Sequence, residues 1–126
     1  MFEKHGFGGR LRKERLNHGY SLRKFAELLG VSSTYLSQVE QQRYAPVTAS
    51  RAARIAEILG DDPDYWIGLA DRIPEDLEPI IRRHPTTMPA LIRIAGQLSD
   101  DELMDAISEV QVRCNESRTL VGSQSR

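Results

Sequence analysis

Ser33, Thr34, Ser37 and Gln38 put three hydroxyls and an amide at the spacing i, i+1, i+4 and i+5. All four are uncharged and can both donate and accept hydrogen bonds. On one side of a helix they supply the chemistry needed to read base edges in a major groove. Leu36 and Val39 fall on the other side, so a helix here has one apolar face and one hydroxyl–amide face.

Two short helices are needed to hold that face. Residues 21–29, SLRKFAELL, place Leu22, Phe25, Ala26 and Leu29 on one side behind Ser21, a good N-cap. Gly30-Val31 form the turn, because glycine reaches the left-handed backbone that a steep stop requires. Ser32 caps the following helix, which runs to Glu40.

These residues resemble the helix-turn-helix of the Xre/Cro family of transcription regulators. The resemblance runs from about Gly9 to Leu59, and several markers in order and spacing carry it. They are Leu11-Arg12 and Arg15, Ser21-Leu22, Ala26, Leu29-Gly30-Val31-Ser32, Tyr35 to Glu40, and Ile55 to Gly60. It implies an all-α fold: a five-helix, lambda-repressor-like domain over 1–70, followed by a small C-terminal helical region. It also implies that the second helix of the motif enters the major groove of double-stranded DNA. By position, Ser33, Thr34, Ser37 and Gln38 are then base contacts, with Gln38 able to bond adenine N6 and N7 together. Arg23, Lys24, Tyr35, Arg43 and Tyr44 are phosphate contacts, and Arg10, Arg12 and Lys13 are further cations nearby. The family's internal ion pair maps onto Arg15 and Glu40, which are therefore assigned to the scaffold. One departure stands out: Gln41-Gln42 occupy the place where the family commonly has Asn-Gly. Either a glutamine there takes a positive φ, or the loop differs.

The rest of the chain also reads as helical. The first helix is expected over Arg10–His18 with Leu11 and Leu16 inward, and Gly6, Gly8 and Gly9 form a flexible arm before it. Gln41 to Val47, with Pro46, is a loop. A fourth helix spans Thr48–Leu59, stopped by Gly60, and a fifth opens at Asp62-Pro63. Asp61, Asp62 and Asp64 lack the other positions of a calcium loop, so they read as caps. Residues 71–118 are a second region of three helices, about 75–83, 88–98 and 99–115. Ser99 and Glu102 make a capping box for the last of these. Residues 119–126 are a flexible tail. Leu91, Leu98, Leu103, Ile107 and Val110 are expected to build a helical hairpin that pairs with a second subunit or another protein.

Charge is divided along the chain. Residues 1–60 hold ten Lys/Arg and five Asp/Glu, and residues 61–126 hold seven and thirteen, so +5 is followed by −6. The basic part can release counterions from phosphate, and the acidic part should stay off the duplex. No apolar run approaches twenty residues and the start has no signal-peptide pattern, so a soluble cytoplasmic protein without a membrane role is expected. Cys114 is the single cysteine, which excludes an internal disulfide and a cysteine-based zinc cluster; on an apolar face it reads as buried. His5, His18 and His84 have no metal-ligand spacing. No nucleophile–base pair or phosphate-cradling glycine loop is visible, so neither an enzyme nor a cofactor is expected. The primary expectation is a sequence-specific, dimeric repressor. Two alternatives stay open: an antitoxin whose C-terminal helices grip a toxin or protease, and a bridging protein that contacts the transcription machinery without reading sequence.

Overall fold

Eight helices and no strand occur among residues 6–44 and 47–124, the part that the computed structural model describes. They are α1 (Phe7–Asn17), α2 (Leu22–Leu29), α3 (Ser33–Glu40), α4 (Ala49–Leu59), α5 (Pro63–Leu69), α6 (Leu77–Arg83), α7 (Thr87–Ala95) and α8 (Asp100–Gln124). His5, Pro46 and the last two residues of the expected tail lie outside the described residues.

Local chemistry accounts for most boundaries. Ser21, Ser32 and Thr48 accept the backbone N–H of Lys24, Tyr35 and Arg51 at 3.0, 3.0 and 3.2 Å, satisfying donors that the helices cannot. Asp62 accepts from the Asp64 N–H at 3.0 Å, ahead of a first turn that contains Pro63. Ser99 and Glu102 bond reciprocally, at 3.2 and 2.8 Å, to open α8. Pro79 sits in the first turn of α6, where its missing N–H costs nothing.

The chain divides into two compact units, residues 1–77 and 78–126. The segment after Ala70 stays with the first unit: the Arg72 Nε donates to the Val47 carbonyl at 3.1 Å, and Pro74, Glu75 and Asp76 line a shallow pocket with residues of α4 and α5. In this unit α1 to α5 enclose one core. Trp66, Phe25, Leu11, Leu36 and Ile55 are its largest fully buried side chains, each contributing about 1.5–3 kcal/mol of transfer free energy. Phe7 meets Trp66 edge-on at 5.7 Å, and the Trp66 Nε1–H donates to Asp61 at 2.8 Å. One ring nitrogen of His18 faces the Leu59 carbonyl at 3.0 Å, so the end of α1 is tied to the end of α4.

Three features of unit 1 differ from the sequence reading. Helix α1 begins at Phe7, so Gly8 and Gly9 are helical and not an arm. Its inward residues are Phe7, Leu11 and Arg15, a row at i, i+4 and i+8, with Gly8 beside them, whereas Leu16 is half exposed. Gly8 is inward because α1 crosses α3 closely there: a Cβ on Gly8 would overlap the Val39 carbonyl oxygen and lie 2.7 Å from that of Glu40.

Unit 2 differs as well. Helix α8 continues to Gln124, well into the expected tail, since nothing from Asn115 to Val121 interrupts a helix. The Thr119 hydroxyl donates to the Asn115 carbonyl at 3.0 Å within it. The expected hairpin is not formed: α7 and α8 do not pack along their lengths. A helix of 9 residues is too short to cover one of 25. Cys114 is exposed for the same reason.

Gly8→Ala should therefore destabilise the protein by about 1–3 kcal/mol, since α1 and α3 must move apart to admit one methyl group. Gly68→Ala in α5, where a Cβ would meet nothing within 4 Å, is the control. Urea denaturation followed by circular dichroism measures both; equal midpoints would contradict the close crossing.

Candidate functional site

Helix α2, its turn and α3 are built from adjacent signals. Gly30 caps α2 at φ 82°, and both the Gly30 and Val31 N–H groups donate to the Ala26 carbonyl, at 2.9 and 3.0 Å. This left-handed stop redirects the chain within two residues. Leu36 and Val39 then turn inward on α3, together with Glu40.

Glu40 is buried because Arg15 meets it. The Arg15 Nε and Nη2 donate to the two carboxylate oxygens at 2.7 and 2.9 Å, and Nη1 donates to the Tyr20 carbonyl at 2.9 Å. Both side chains are almost inaccessible, at 7% and 4% exposure. The hydrogen bond to Glu40 raises the Arg15 pKa, burial opposes this, and the carboxylate charge adds to the rise. The guanidinium thus stays charged, and its fork links the end of α1, the α1–α2 turn and the end of α3.

With that side held, Ser33, Thr34, Ser37 and Gln38 share the opposite side of α3. Thr34 is exposed and the other three are half-buried. The Ser37 hydroxyl accepts from the Gln41 Nε2 at 3.0 Å and keeps its own proton to donate. After α3, Gln42 adopts φ 61°, so a glutamine takes the left-handed place. The Gln42 and Arg43 N–H groups bond back to the Val39 and Gln38 carbonyls at 3.0 and 2.9 Å.

The expected phosphate contacts gather around this face. Arg23 and Lys24 are exposed in the first turn of α2, which has no acidic residue. Arg43 and Tyr44 are exposed beyond α3. Tyr35 is half-buried and stacks on Tyr44, with ring centroids 5.6 Å apart. Arg10 is less available: it forms an ion pair with Glu14 at 3.8 Å and lies over the Tyr65 ring.

Sequence reasoning missed Arg51. It lies in the first turn of α4, its guanidinium 5.5 Å from the Tyr35 ring centre and its Nη1 3.5 Å from the Tyr35 hydroxyl. The available signal was a cation three residues after the Thr48 cap, at the end of a helix where a carboxylate is favoured.

In unit 2, Leu91, Ile107 and Val110 are each more than half exposed, Leu98 is exposed and Leu103 is half-buried. Ile94 is exposed beside them, as are Ile92, Met104 and Val112, which the sequence reading did not include. No described helix is long and apolar enough to cross a membrane, and no group of three or more His, Cys, Asp or Glu among the described residues could hold a metal ion.

Residues 11–66 match the helix-turn-helix family model. No curated protein matches the chain. Among solved structures, the clp gene regulator ClgR from Corynebacterium glutamicum is similar at 24% identity and a TM-score of 0.45, covering 68% of this chain and 85% of that one. A chain of the SinR–SinI protein complex is similar at 19% identity and a TM-score of 0.46, covering 86% and 98%.

Removing one member of the buried pair, by Arg15→Met or Glu40→Leu, should cost about 3–5 kcal/mol because the other charge is stranded. The double variant should cost less than either single one. A double-mutant cycle by urea denaturation tests this, and additive losses would show that the two charges do not depend on each other.

Proposed function

We propose that this chain, whose residues 11–66 carry a helix-turn-helix DNA-binding domain, is a sequence-specific transcriptional regulator acting as a dimeric repressor. The observation that carries the reading is the outward side of α3. Ser33, Thr34 and Gln38 have no side-chain hydrogen-bond partner among the described residues, so their donors and acceptors are free for base edges. Ser37 joins them through its proton. Arg23, Lys24 and Arg43 are without carboxylate partners among the described residues, and they hold the adjacent phosphates. Phosphate contacts set register and affinity, while the α3 side chains supply sequence preference.

Self-association is supported by unit 2. From residue 78 to 119, no described residue is buried, although Leu91, Ile94, Met104, Ile107 and Val110 are large and apolar. An apolar surface of this extent is covered in a working protein, and a second copy is the simplest cover. Two reading helices would then meet half-sites about 34 Å apart, which raises affinity and restricts the operator to a two-fold sequence. Occupying such a site denies it to other proteins, and that is the repressive act.

Fluorescence anisotropy on the chain's own upstream DNA and on a scrambled duplex, at about 150 mM salt, tests the reading. Wild type should prefer the upstream DNA by about a thousandfold, and Gln38→Ala should lose about 1–3 kcal/mol of that preference. Equal binding to both duplexes would remove the claim of sequence readout. For the dimer, sedimentation equilibrium should give twice the chain mass, and Ile107→Asp with Val110→Asp should return it to the monomer. A monomeric wild type at tens of micromolar would overturn self-association.

A further inference from the structure

Tyr35, Tyr44 and Arg51 come from three separate segments: the first turn of α3, the loop after it and the first turn of α4. The Tyr35 ring is stacked on Tyr44 at an interplanar angle of 26°. Arg51 leans over the hydroxyl end of the same ring. The three form a short layered row beside the reading helix.

The charge on Arg51 has no carboxylate counterpart among the described residues. Arg10, Arg15 and Arg54 each face a glutamate, at 3.8, 2.7 and 2.8 Å. Arg51 faces none among the described residues; its side chain meets the ring and hydroxyl of Tyr35. A guanidinium presents five N–H donors, and one directed at a phenol leaves a planar fork for an oxyanion. Stacking over an aromatic ring fixes the fork before any ligand arrives, so less side-chain freedom is lost on binding. The Tyr35 and Tyr44 hydroxyls add two more donors, and Tyr44 is 51% exposed.

From this geometry we infer that Arg51, seated on Tyr35 and flanked by Tyr44, is a binding site for a backbone phosphodiester of the DNA that α3 reads. The inference rests on the proposed DNA reading and adds to it a site outside the helix-turn-helix itself. Arg51 supplies the charge and the fork, and the tyrosines hold it and donate from the side. The contact positions the duplex along α3 and contributes no base preference.

Arg51→Gln keeps a planar donor of similar reach and removes the charge, and Arg51→Lys keeps the charge and removes the fork. The full chain and both variants are titrated with upstream and scrambled duplexes between about 50 and 200 mM salt. Arg51→Gln should weaken binding to both duplexes by the same factor, about threefold to tenfold, and lower the slope of log affinity against log salt by about 0.9. Arg51→Lys should keep the wild-type slope and recover part of the affinity. Thermal unfolding without DNA should be unchanged by either substitution. An unchanged salt slope in Arg51→Gln overturns the phosphodiester site and leaves the DNA reading intact. A loss confined to the upstream duplex also overturns it, because Arg51 would then be reading bases. A wild type that binds neither duplex removes both the reading and the site.

Discussion

A guanidinium cut off from water has to be satisfied on every side, and the arrangement around Arg15 follows from that requirement. Its three donor atoms reach both Glu40 oxygens and the Tyr20 carbonyl. The cost of desolvating two ions is offset only when such a fork is complete. Completing it demands that α1 lie close to the end of α3, which only a residue without a side chain permits at position 8. The same fork fixes the rotation of α3 about its own axis. With Glu40, Leu36 and Val39 held inward, Ser33, Thr34, Ser37 and Gln38 have to face the other way. A buried charge pair far from any ligand thus decides what the protein can touch.

The placement of the remaining charges follows a second logic. Glu14, Glu40 and Glu57 are engaged with Arg10, Arg15 and Arg54. The cations at Arg23, Lys24, Arg43 and Arg51 are left without carboxylates among the described residues. Helix starts show the same division. Those of α5, α6 and α8 carry acidic residues, as the helix dipole favours by about 0.3–1 kcal/mol each. Those of α2 and α4 carry Arg23, Lys24 and Arg51 instead. This small penalty falls twice, both times on cations that the proposed DNA reading assigns to phosphate. Unit 2 poses a different problem. Among its described residues the large apolar side chains are mostly exposed, so what it lacks is cover and not counterions.

Much of this was legible in the sequence, and the reason is locality. A capping hydroxyl acts three residues ahead, a left-handed glycine acts on the turn behind it, and an apolar stripe repeats every three or four positions. Ser21, Gly30, Ser32, Thr48, Gly60, Asp62 and the Ser99–Glu102 box could therefore be placed from their neighbours alone. The composition of the α3 polar side was legible for the same reason, and so was the helix-turn-helix that presents it.

What resisted reading involves atoms far apart in the chain. Gly8 looks like a helix breaker until Val39 and Glu40 approach it. Leu16 stays half exposed because the inward row of α1 runs through Leu11 and Arg15, whose carboxylate partner lies 25 residues away. Gln42 takes φ 61° because its N–H and that of Arg43 close off α3. Arg51 gains its seat only when the fold sets the start of α4 against Tyr35 of α3. The length of α8 followed from 25 residues without a proline, but its exposure followed from the lack of a covering neighbour among the described residues. By itself the sequence determined the helices, their caps, the sharp turn and the order of polar groups along α3, because each depends on interactions within about one helical turn. Only the tertiary structure decided which way those groups face and which charges are spent internally, because burial and ion pairing are settled by whatever the fold brings together.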